Sequence, residues 1–133
     1  MNAHTAGPGP ATPNQVARLL IQATAAADNM RGIVHDTHAR NAIPAAELDP
    51  ILVPLEDLAN GLDQALRQLA GSLTNSLAIW DLRDDAWDTH PATSVSQACD
   101  QLDDAATHAW HASRNLAAAR AITAGTAGAE AGR

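Results

Sequence analysis

The chain has no lysine, no phenylalanine and no tyrosine, and only one cysteine in 133 residues. Without Phe and Tyr it is poor in the aromatic types that favour strands. One cysteine excludes a disulfide framework within the chain and any cysteine-rich zinc module. No apolar run approaches the ~18–20 residues of a membrane span. The opening Met-Asn-Ala-His-Thr lacks the basic and apolar stretches of a signal peptide. Basic side chains are scarce, 8 against 15 acidic ones, for a formal charge of −7. Phosphate backbones are gripped by Lys- and Arg-rich surfaces, so nucleic acid is not an expected partner. These absences predict a soluble, cytoplasmic protein with no membrane partner.

What the chain has in abundance is alanine, 31 residues, beside 14 Leu, 6 Ile, 4 Val, 2 Met and 3 Trp. Alanine is the best helix former, so composition predicts helix almost everywhere. At this length the expectation is one domain. Residues 1–11, rich in Gly, Pro and Ala, read as a flexible arm. Thr12 then supplies an N-cap, Pro13 the first helical position and Gln15 the partner of a capping box. Val16, Leu19, Leu20, Ala23, Ala27, Met30 and Val34 follow on one helical stripe, with Ala26 and Ile33 at its edge. Asn41, followed by Pro44, predicts the end of this first helix.

Pro44, Pro50 and Pro54 stand too close together for one regular helix, so residues 42–53 are expected to be a connection. Within it a turn over Ala45–Leu48 is capped by Asp49 before Pro50, and the second helix begins at Pro54 or Pro50. That helix carries the strongest pattern in the chain: Leu55, Leu58, Leu62, Leu66, Leu69, Leu73, Leu77 and Trp80 form a stripe about 100° wide. Its period lies nearer 3.6 than 3.5 residues, which predicts the spine of a compact bundle rather than a long zipper. Gly61 and Gly71 weaken it, and are either close-approach points or simply tolerated.

Asp81 is expected to cap a short helix over Leu82–Trp87, with a turn at Asp88–Pro91. Ser94 and Gln97 form a second capping box that predicts the start of a third helix. Val95, Cys99, Leu102, Ala106, Ala109, Ser113, Leu116 and Ala117 make its inner stripe. Gly125 is the expected stop, with residues 125–133 a disordered tail. The fold predicted is all-α, an elongated antiparallel three-helix bundle over 12–124 with a flexible N-terminal arm and C-terminal tail. In it the leucine stripe lies between two alanine-rich faces, and the core is thin because alanine buries little area.

Three constellations are candidates for function. His35 and His38, and His108 and His111 with Asp104, have the adjacent-turn spacing of metal ligands in helix bundles. The simpler reading is one surface set and one helix-end pair, where an imidazolium is favoured. Asp81, Asp84, Asp85 and Asp88 fall on one side of their segment, within residues 45–90 that hold the whole acidic excess. They read as a solvated, repelling surface or a dock for a basic partner. Trp87 stands among them, and tryptophan is enriched at interface hot spots. These five residues are the expected partner-binding surface.

Other signatures are missing. There is no nucleophile elbow and no glycine-rich phosphate loop, so neither a catalytic set nor a cofactor is expected. Small helical-hairpin substrates of type VII secretion carry a Trp-x-Gly turn and a tyrosine-containing tail motif. Here Trp80-Asp81-Leu82 and Trp87-Asp88-Thr89 lack the glycine and the chain has no tyrosine, so that resemblance fails. The expected function is a non-enzymatic helical interaction module: a small cytoplasmic adaptor, regulator or assembly subunit. The alternative is a metal-dependent helical-bundle protein using the histidine pairs or the aspartate cluster. Thin packing further predicts a symmetric homodimer that buries stripe-edge groups such as Ile33, Ile79 and Trp110.

Overall fold

The computed structural model describes residues 9–38, 42–80 and 91–132. It is all-α, with no strand among the described residues. The three helices are α1 (Pro13–His38), α2 (Ala45–Trp80) and α3 (Pro91–Ala131). Two units follow from the packing, residues 1–42 and 43–133.

The first unit holds α1. Its start is the capping box expected from the sequence: the Thr12 amide donates to Gln15 Oε1 at 2.7 Å and the Gln15 amide to Thr12 Oγ1 at 3.3 Å. The apolar stripe forms on schedule, but its burial differs from the expectation. Val16, Leu19, Leu20 and Val34 are all more than half exposed, and only Met30 is half-buried. A unit with one helix has no second element of its own to cover such a stripe. The end expected at Asn41 lies outside the described residues.

In the second unit α2 and α3 pack closely as an antiparallel pair. Arg120 of α3 reaches Asp49 and Glu56 near the start of α2, whereas Cys99, near the start of α3, meets Ala70 and Thr74 further along α2. Between those ties the helices meet through small side chains. Among the described residues Ala70, Ala106, Ala109 and Ser113 are the buried ones, and Ala106 is 0% exposed. Side chains this small let two helix axes approach to the low end of the ~8–10 Å range. Ser113 is satisfied within α3, its hydroxyl donating to the Trp110 carbonyl at 2.7 Å. All eight residues of the expected α3 stripe are buried or half-buried.

The helix boundaries differ from expectation in three places. Residues 42–53 are not a separate connection: α2 starts at Ala45 and runs through Pro50 and Pro54. Its first bonds go to Pro44, whose carbonyl accepts from the Glu47 and Leu48 amides at 3.0 and 3.1 Å. An interior proline costs a helix about 3 kcal/mol, so tertiary contacts must offset two of them here. Those contacts are the half-buried Leu48, Leu52, Val53 and Leu55, and the ion pairs to Arg120. At the same end of the pair, α3 does not stop at Gly125 but continues to Ala131. In the antiparallel register this extra turn runs beside the first turn of α2, and Ala127 and Ala45 are both half-buried. Each unexpected extension thus supplies packing surface for the other. Finally, α3 starts at Pro91 rather than Ser94, because a proline preset to helical φ suits a first turn. Gly61 and Gly71 have open space where a side chain would stand, so they are tolerated rather than required.

Candidate functional site

The broad leucine stripe of α2 is only partly covered by α3. Packing is centred on the flank that holds Leu52, Ala59 and Ala70, so the opposite flank faces outward. Leu58, Leu62 and Leu69, expected in the core, are 40%, 50% and 49% exposed, and Ile51 joins them at 42%. These four are spaced by seven, four and seven residues, which keeps them on one line along the helix. One partner helix can cover one side of a 100° stripe, and the rest stays open. An aligned apolar row of this kind is what one helix offers another.

On α3, Trp110 is the largest exposed apolar group, at 44%. It stands edge-on to His111, with ring centroids 4.9 Å apart, and the Arg114 guanidinium lies 5.9 Å from its centroid. Its partial exposure agrees with its place at the edge of the α3 stripe. The surrounding imidazole and guanidinium make a small aromatic and cationic patch on an otherwise acidic chain.

The histidine candidates are placed as follows. His35 and His38 are exposed in the last turn of α1, and His35 Nδ1 lies 3.3 Å from Asp36 Oδ1. His108 Nδ1 lies 2.7 Å from the backbone carbonyl of Asp104, so that ring is engaged by its own helix. His111 is turned to Trp110. Among the described residues no three His, Cys, Asp or Glu side chains are grouped to hold a metal. The Asp81, Asp84, Asp85, Trp87 and Asp88 surface lies outside the described residues, as do the short helix expected there and the Trp80 and Ile79 side chains. Cys99 sits where its stripe position suggests, half-buried, with Sγ donating to the Ala70 carbonyl at 3.4 Å.

A polar site that sequence reasoning missed is the triad of Arg120, Asp49 and Glu56. Arg120 Nε donates to Asp49 Oδ1 at 2.9 Å and Nη1 to Glu56 Oε2 at 2.7 Å. The two carboxylates, Glu56 foremost, hold the guanidinium above its ordinary value. Its charge is therefore constant through any ordinary pH. The sequence reading left Asp49 in the connection, as a cap before Pro50, and nothing local pointed to a cation 64 residues beyond Glu56.

No family model, no curated protein and no solved structure matches the chain. Among the described residues no helix is long and apolar enough to cross a membrane.

Proposed function

We propose that this protein is a non-enzymatic helical interaction module, a small cytoplasmic adaptor, regulator or assembly subunit. The row of Ile51, Leu58, Leu62 and Leu69 carries that reading. Four large apolar side chains aligned on one edge of a helix are matched by a second amphipathic helix laid alongside. The same edge suits self-association, because a two-fold axis brings one such row against its copy and closes the assembly. A symmetric homodimer is therefore the proposed state. The partner beyond the dimer is a basic protein, favoured by the charge of −7 and by Asp81, Asp84, Asp85 and Asp88 around Trp87. A single cysteine suits a reducing compartment such as the cytoplasm.

Light scattering over a concentration series tests the assembly. The expected result is a dimer mass for the native chain and a monomer mass for Leu62→Glu combined with Leu69→Glu, with helix content retained. A monomer for the native chain at high micromolar concentration refutes the dimer. Reversing Asp84 and Asp85 to Lys should leave the dimer mass unchanged and abolish binding of a polyarginine peptide. Loss of the dimer on that reversal would place the interface at the acidic end instead.

A further inference from the structure

The start of α2 is weakly joined to the rest of its own helix. Pro50 and Pro54 have no amide hydrogen, so the carbonyls of Ala46 and Pro50 lose the donors that would bind this segment to the next turn. Beside the bonds that α2 keeps across this stretch, a further tie comes from the other helix. Asp49 immediately precedes Pro50, and Glu56 follows Pro54 by two residues. They lie seven residues apart, two turns along one face. Arg120 holds both, one through Nε and one through Nη1, so a single side chain of α3 ties the two sides of the proline break together. Such a planar, forked cation is suited to engaging two carboxylates from fixed directions.

We propose that residues 45–54 of α2 open from α3 as a separate segment, and that Arg120 is the latch that sets how often they do. The latch is reachable: the Arg120 side chain is 34% exposed, Asp49 38% and Glu56 21%. The remainder of the pair does not depend on it. Further along, α2 and α3 are held by the buried Ala70, Ala106, Ala109 and Ser113 and by Cys99 against Ala70. Opening therefore stops where the small-residue contact begins. It exposes the apolar side chains Leu48, Leu52 and Val53, which are half-buried when the segment is shut. Local opening of this kind is expected where backbone hydrogen bonds are few and the contacts are partly solvated.

Amide hydrogen exchange on the full-length chain, read at peptide resolution, tests the latch. In the native protein the amides of 47–53 should exchange faster than those of 62–77. In Arg120→Gln they should exchange about tenfold faster again, while 62–77 and 99–113 keep their protection. Uniform acceleration of both helices would show that Arg120 supports the whole pair rather than a segment, and would overturn the proposal. So would no change at all. Pro50→Ala with Pro54→Ala restores the missing donors, and in the native background it should slow exchange over 47–53. An unchanged rate there would show that the prolines are not the break. Should Arg120→Gln fail to fold, Asp49→Asn removes one arm only and is held to the same regional pattern.

Discussion

Substituting Ala106 by leucine is the most direct test of how α2 and α3 meet. Ala106 is 0% exposed, and the other residues of the contact, Ala70, Ala109 and Ser113, are also small and buried. Its methyl meets only protein, so three further carbons push the helices apart or force the leucine out of its preferred rotamer. Overpacking of this kind costs about 1–3 kcal/mol. The neighbouring Ala105 is exposed, and Ala105→Leu makes the same chemical change on the same helix without meeting α2. Helix propensities of alanine and leucine are close, so that variant should stay within about 0.5 kcal/mol of native. For a packed unit of residues 43–133 each kcal/mol shifts the melting temperature by about 4–8 °C. The Ala106 variant should thus melt roughly 5–20 °C lower and the Ala105 variant almost unchanged. Thermal and urea unfolding followed by far-ultraviolet circular dichroism read both, at one fixed protein concentration because association shifts such transitions. Equal stability of the two variants would refute the reasoning, since the helices would then be far enough apart to accept leucine.

Three further outcomes are expected. Gly61→Ala and Gly71→Ala place a methyl in open space on α2 and should each stabilise by about 0.5–1 kcal/mol, additively in the double variant, as read by urea unfolding. Leu66→Ala removes a half-buried side chain and should cost about 2 kcal/mol, the low end for such a change because no closed cavity remains; a neutral result would remove Leu66 from the core. Arg120 is raised above its ordinary value by Glu56 and Asp49, so the stability it adds is complete below that ordinary value and is lost only as pH rises through the raised one. Melting temperatures of the native chain and Arg120→Gln should therefore differ by the same amount at neutral and at mildly alkaline pH.

The sequence by itself determined the helical class, the capping box that starts α1 and the stripe that α3 turns inward. Each depends on interactions within a turn or two: alanine propensity, a Thr12–Gln15 exchange, and apolar residues recurring at helical spacing. The periodicity of α2 was equally legible, and it said that a wide stripe exists. It did not say which part of that stripe would be covered. Only the tertiary structure decided that α3 takes the Ala70 flank and leaves Leu58, Leu62 and Leu69 exposed, because a face wider than one neighbour can be covered from either side. The helix ends were decided there too. Read locally, Pro50, Pro54 and Gly125 are breakers, yet all three lie inside helices. In the antiparallel register the first turn of α2 and the last turns of α3 lie side by side, and Ala45 and Ala127 are both half-buried. Arg120 binds carboxylates on both sides of the prolines. Local rules weigh a residue against its neighbours in the chain, whereas the carboxylates flanking these prolines answer to a cation 71 and 64 residues away.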